Sequence, residues 1–367
     1  MKMIRCISGI LCAMVVLFSL VSCGTADDTG SQAQDKADTQ DWEKIEHQIP
    51  EDIGYTDDNG CIEDDGRWNC AWYVYWDADV WDEFLLLTEE KELSSASMFA
   101  CYFSDDGQLY VPQGFSALRE IADELSFPMV YQSFTNDVQH TDGSATQKDP
   151  EFLRDLWSDA ERTEETAEAM LTMTKSVGAD GIEIDFENIK EPGLWADYVR
   201  FLELVWEKAQ AEELSMRVVL SVNVPVEDLN FPTGPEYSVM CYNLYGTHSG
   251  PGPKADTDFL KVTAEKFSKL QNITYALATG GFEWNGDDAV TRSLTQEAAE
   301  ALAEEYECEP ERDKSSGDLY YIYQENGEKF TVWYADEQTL ATWRSSILDV
   351  DSGAKFDLWR VGGNRWQ

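Results

Sequence analysis

The stretch Asp180-Gly181-Ile182-Glu183-Ile184-Asp185-Phe186-Glu187 alternates acids with apolar residues. In a strand, successive side chains point to opposite faces. Ile182, Ile184 and Phe186 then share one face, and Glu183, Asp185 and Glu187 the other. Three carboxylates in one column cannot all ionise cheaply away from water, so at least one is expected to hold its proton more tightly than usual. A carboxylic acid of that kind at the C-terminal end of a barrel strand is a candidate general acid.

The surrounding sequence supplies the elements to place that column. Strand-like runs recur at 68–76, 97–103, 128–134, 181–187, 218–224, 239–245, 273–278 and 356–361. Apolar residues at helical spacing lie between them, as in Phe115-Leu118-Ile121-Ala122-Leu125, Ala167-Met170-Leu171 and Trp195-Tyr198-Val199-Leu202-Val205. Phe259, Leu260, Phe267 and Leu270 mark a further helix, and Gly178 closes the one before the acidic run. Such alternation implies parallel βαβ units, and eight of them imply an α/β (β/α)8 TIM barrel, with an open doubly wound sheet as the other arrangement.

One segment breaks the alternation. Ser293 and Gln296 have the spacing of a capping box for a helix reaching Tyr306. Apolar runs at 319–323 and 329–334 flank Asn326-Gly327, a hairpin signal. A small α+β insertion is therefore expected between strands seven and eight, at about 285–345.

The N-terminal region has a different composition. Lys2 and Arg5 precede an apolar run of signal-peptide length that ends in Leu20-Val21-Ser22-Cys23-Gly24. This resembles the bacterial lipobox, which implies a signal peptide over 1–22 and lipidation of Cys23. Residues 23–66 are small, polar and acidic, as expected of a flexible tether. The barrel follows over 67–367. The chain is expected outside the cytoplasm, held to the bacterial cell membrane by the lipid on Cys23 alone, and monomeric. Cys61 and Cys70 are close enough in sequence to bridge or to stay free. Cys101 and Cys241 sit in strand-like runs as buried small hydrophobes.

Lys and Arg number 27 against 71 Asp and Glu, a net charge of −44. Such a chain repels nucleic acid. Three histidines without metal-ligand spacing, and the absence of a Gly-rich phosphate loop, lead to no expected metal or cofactor.

The acidic run resembles the D-G-x-D-x-D-x-E signature of glycoside hydrolase family 18, the chitinase-like barrels. Asp185-Phe186-Glu187-Asn188 is closest to the spore-germination and cell-wall-associated subgroup. Val239-Met240-Cys241-Tyr242-Asn243 resembles the sixth strand of that family, and Gly280-Gly281-Phe282-Glu283-Trp284 its Gly-rich loop and Trp after strand seven. Val332-Trp333-Tyr334-Ala335-Asp336 resembles the subgroup's insertion, and Leu358-Trp359-Arg360-Val361-Gly362 the last strand.

The resemblance implies hydrolysis of glycans containing N-acetylhexosamine (chitin oligomers, peptidoglycan or an N-glycan core) with retention and substrate assistance. Glu187 would be the acid and base, and Asp185 would orient the 2-acetamido group. Tyr242 and Asn243 would meet that group, Trp359 would floor the sugar site, and Trp284 would wall the cleft. Glu183 would line the substrate site with them, but it departs from the family, which usually has Asp there. Its extra methylene either leaves it able to hold a proton for Asp185 or misplaces Asp185. The alternative function is therefore a catalytically weak or inactive glycan-binding surface lipoprotein on the same barrel.

Overall fold

The computed structural model describes residues 66–77, 80–125 and 129–366. The expected signal peptide, Cys23, the tether up to residue 65 and Cys61 lie outside the described residues. Cys70 is buried and free.

Eight parallel strands form the central sheet: β1 Cys70–Val74, β2 Ser95–Ser104, β3 Val130–Gln139, β4 Gly181–Asp185, β5 Ser215–Ser221, β6 Glu236–Met240, β7 Ile273–Ala278 and β8 Phe356–Trp359. Each pairs in parallel with the next, and β8 pairs with β1, so the sheet closes into a (β/α)8 barrel. Helices return the chain outside it: α1 Trp81–Glu90, α2 Phe115–Leu125, α3 Pro150–Ser158, α4 Ala160–Ser176, α5 Pro192–Ala211 and α6 Thr257–Phe267. After α7 Gln296–Glu305, α8 Glu337–Leu348 completes the shell.

Local chemistry explains where these helices start. Asp159 accepts from the Glu161 and Arg162 amides at the start of α4, Asp256 from Phe259 in α6, and Asp336 from Thr339 in α8. Pro192 opens α5, where its missing N–H costs nothing. The main core lies between strands and helices. Ile182, Ile184 and Phe186 join it against Tyr198, Phe201 and Leu202 of α5, as the alternation predicts.

Strands β2 and β3 run to ten residues each. Each doubles back through a short strand, Leu109–Tyr110 on β2 and Ala145–Thr146 on β3. The β3 extension delivers Lys148 and Asp149 to the start of α3, an arrangement with no periodic signature in the sequence.

The insertion is an antiparallel sheet of Gly280–Trp284, Val290–Leu294, Glu311–Arg312, Leu319–Glu325 and Glu328–Ala335. Helix α7 covers one face, with Ala299, Leu302 and Ala303 against Tyr321, Tyr323, Val332 and Tyr334. Asn326 and Gly327, both at positive φ, make the expected hairpin. Gly281 is required by close approach, since a Cβ there would lie 1.7 Å from the Trp333 carbonyl oxygen.

Two expectations are corrected. The insertion starts at Gly280 and ends at Ala335; residues up to 345 belong to α8, whose Trp343 and Ile347 are buried in the barrel core. Helix α7 is capped by Thr295, which accepts from the Ala298 amide, while Ser293 lies in the preceding strand.

Candidate active site

Inward-pointing residues stack in layers. The lowest polar layer centres on Arg217 of β5, which is fully buried. Its Nε lies 3.0 Å from Glu183 Oε2, Nη1 2.9 Å from Glu236 Oε1 and Nη2 2.5 Å from Asp357 Oδ2. The Ser238 hydroxyl donates to Asp357 at 2.6 Å, and Thr274 donates to the same oxygen. Buried charge on this scale is tolerated only when paired, and each member here is, although Arg217 Nε, Arg217 Nη1 and Glu183 Oε2 meet their partners as ion pairs without hydrogen-bond alignment.

Glu183 joins that layer to the next. Trp72 Nε1 donates to its Oε1 at 2.7 Å and Ser97 Oγ at 2.8 Å. Burial pushes the Glu183 carboxyl up, against the pull of Arg217 and its hydrogen-bond donors. The extra methylene relative to Asp carries the carboxylate to the guanidinium and not toward the barrel mouth. The expected substrate contact by Glu183 is therefore corrected: its carboxylate is fully buried and committed to Arg217, Trp72 and Ser97.

Above it, Trp72, Val219, Met240 and Ala276 form an apolar plug, with Phe99, Tyr242 and Trp359 packed on it. Trp359 meets Phe99 edge-on at 4.9 Å and Trp72 at 5.9 Å. Trp359 is partly buried and closes β8 at its C-terminal end. Trp76, 54% exposed, continues this row beside Phe99 at 6.0 Å.

Asp185 ends β4 directly across from Thr135 of β3. Its side chain is buried, and Oδ1 has no hydrogen-bond partner among the described residues. Burial first, then the charge of Glu187, holds its carboxyl well above the usual range, with Lys148 pulling the other way.

Glu187 lies two residues past the strand, on the loop that leaves it. Asn136 fixes that loop. Its Oδ1 accepts from the Glu187 amide at 2.9 Å, and its Nδ2 donates to the Glu187 carbonyl at 3.2 Å. The Glu187 side chain is 12% exposed, and Lys148 Nζ sits 2.5 Å from its Oε1. Burial works to lower the Lys148 pKa, but Glu187, Asp185 and Asp137 outweigh it and hold the ammonium charged.

Tyr242 and Asn243 follow β6 on the next part of the rim and are half-buried. Burial, then the charges of Asp185 and Glu187, hold the Tyr242 phenol well above its usual range. Tyr242 therefore keeps its proton, close enough to both carboxylates to feel their charge.

The barrel thus brings Asp185, Glu187, Tyr242 and Trp359 to one mouth, with Asn243 beside Tyr242. Trp284 does not join them. It is fully buried, and its indole N–H donates to the Ser249 carbonyl at 3.1 Å. The expected cleft wall is instead a packing residue between the insertion sheet and the loop after β6. Arg217, Lys148, Asn136 and Phe99 were not legible as site residues. Only Arg217 had a signal, being in inward phase with Val219.

The closed parallel barrel, the acids at and just past the end of β4 and the antiparallel insertion before β8 together decide the fold. The fold is that of the chitinase-like barrels. No family model matches the sequence, and no curated protein matches it. Solved structures do. The Bacillus cereus spore cortex-lytic enzyme SleL superposes with a TM-score of 0.65 at 17% identity, covering 81% of this chain and 71% of that one. A Chromobacterium violaceum chitinase gives 0.66 at 14% identity, over 82% and 95% of the two chains. A Nicotiana tobaccum class V chitinase gives 0.61 at 12%, over 81% and 94%. In a chitinase-like barrel the mouth holding Asp185 and Glu187 is the C-terminal one, where barrel enzymes keep their chemistry. The opposite end carries a cavity of about 490 Å³, lined by Tyr131, Glu236, Thr274 and Lys355 among others.

Proposed function

We propose that the protein is a glycoside hydrolase that cleaves glycans containing N-acetylhexosamine, with retention and with help from the substrate's own acetamido group. The observation that carries this is that Asp185, Glu187, Tyr242 and the partly buried Trp359 all stand at or just past the C-terminal ends of their barrel strands. The structures it resembles include proteins named as chitinases and as a spore cortex-lytic enzyme.

Each residue then has a role set by its surroundings. Trp359 offers a flat apolar face for a sugar ring. Glu187, the more accessible carboxyl, gives its proton to the glycosidic oxygen as that bond breaks. The acetamido oxygen of the same sugar attacks the anomeric carbon, forming an oxazolinium-type ring. Asp185, buried with an unused oxygen, passes the proton it holds to Glu187, and as a carboxylate it accepts the acetamido N–H and offsets the positive charge that develops there. Tyr242 donates to the acetamido oxygen and aims it, with Asn243 beside it. Glu187, now ionised, takes a proton from water as the water opens the ring, and two inversions give net retention. This differs from the ordinary scheme in which the second carboxylate is itself the nucleophile.

Cys23 would anchor the chain to the outer face of the cell membrane, with residues 24–66 holding the barrel away from it. The test incubates the full chain with fluorogenic N-acetylglucosamine oligomers and with purified peptidoglycan, beside Glu187→Gln. Hydrolysis lost in that variant is the expected result. Oligomer binding without hydrolysis would instead establish a glycan-binding barrel.

A further inference from the structure

The site contains a cation that the proposed reaction does not use. Lys148 Nζ lies 2.5 Å from Glu187 Oε1, yet its side chain stays 50% exposed. The juxtaposition is built by the backbone. The Lys148 amide donates to Asp137 Oδ1 at 2.8 Å, and Asn188 Nδ2 donates to the Lys148 carbonyl at 3.1 Å. Asn136 binds both sides at once, through the Asp149 carbonyl at 3.1 Å and both backbone groups of Glu187. The loop that carries Lys148 and the loop that carries Glu187 are thus locked to one asparagine.

This pairing conflicts with the acid step. A carboxyl that donates its proton must first be neutral, and neutral Glu187 leaves the ammonium without its counter-ion in a partly covered cleft. Among the described residues Glu187 is the carboxylate in salt-bridge contact with Lys148, and Asp137 and Asp185 add only longer-range attraction. A neutral sugar supplies no charge. An anion on the substrate would take the ammonium over and release Glu187 to be protonated.

Resting on the hydrolase site proposed above, we infer that Lys148 is a specificity-determining residue: it receives a carboxylate carried by a hexosamine unit adjoining the scissile bond. The substrate class is then an acidic N-acetylhexosamine glycan, in which an ether-linked carboxylic acid decorates the sugar. The net charge of −44 repels such a glycan at a distance. Salt screens that repulsion beyond roughly 8 Å, so the local ammonium decides at contact.

The test compares two probes of one length by calorimetry. One is an unsubstituted N-acetylmuramic acid–N-acetylglucosamine strand, and the other is the same strand with its carboxyls reduced to alcohols. The full chain is expected to bind the carboxylate form about tenfold more tightly, the size of one good charge pair. Glu187→Gln removes the competitor for the ammonium and widens the preference, although it removes hydrolysis. Lys148→Met abolishes the preference, and Lys148→Arg keeps it. Equal binding of both strands by the unaltered chain, or a preference that survives Lys148→Met, overturns the inference and leaves the hydrolase reading standing. Binding of neither strand overturns both.

Discussion

Arg217 Nε holds Glu183 Oε2 at 3.0 Å in the barrel interior, two residues along β4 from Asp185. The acid that the sequence aligns with a catalytic column is therefore part of the structural floor beneath it. Removing the cation would strand Glu183, Glu236 and Asp357 in the same layer. Arg217→Met is expected to cost about 3–5 kcal/mol or to prevent folding. Glu183→Gln keeps an acceptor for Trp72 and Ser97, so it should fold with a smaller loss. Urea unfolding of both variants checks the order.

Asp185 should trade stability for function. Its folded carboxyl is held well above the unfolded value by burial and by Glu187, so the native state binds the extra proton. That contribution is complete below the unfolded carboxylate range and is lost as pH rises through the folded value. Asp185→Asn removes the cost of ionising there. The variant should be the more stable one at pH 8, with the gap closing toward pH 4, while turnover falls about 100-fold or more. Unfolding midpoints at both pH values, beside initial rates, measure the two effects.

Tyr242→Phe keeps the ring packed on the interior plug and removes only the hydroxyl that the proposed reaction uses as a donor. Turnover is expected to fall roughly 100-fold, the loss typical of one donor to developing charge, with melting little changed. A fall in KM affinity alone would place the hydroxyl in binding and not in the reaction.

Two tryptophans that look alike in the sequence should behave differently. Trp359→Ala removes the partly buried ring at the end of β8 and is expected to raise KM by about tenfold or more, since a flat aromatic face offers a sugar a large apolar contact. Trp284→Ala empties a fully buried site whose indole is bonded to Ser249. It should cost about 3–5 kcal/mol of stability instead. Rates at saturating and limiting substrate, beside thermal unfolding, separate the cases.

Much of the fold was legible because it rests on local periodicity. The alternation over 181–187 placed Ile182, Ile184 and Phe186 against the helices and the acids inside, and 273–278 matches β7 to the residue. The strand limits were less legible. β6 stops at Met240 and β4 at Asp185, so Tyr242 and Glu187 reach the mouth on loops whose course depends on tertiary contacts such as Asn136. Lys148 has no pattern to betray it, since only the extended β3 loop brings it to Glu187. Trp284 was misjudged because a sequence reports an aromatic ring and not what covers it.

The central claim is tested most directly by following the first-formed product of the full chain by proton NMR. The substrates are an N-acetylglucosamine oligomer and its analogue with 2-hydroxyl in place of 2-acetamido. The retained anomer is expected from the first, no turnover of the second, and no product with Glu187→Gln. An inverted anomer, equal cleavage of the 2-hydroxyl analogue, or hydrolysis that persists in Glu187→Gln would contradict it.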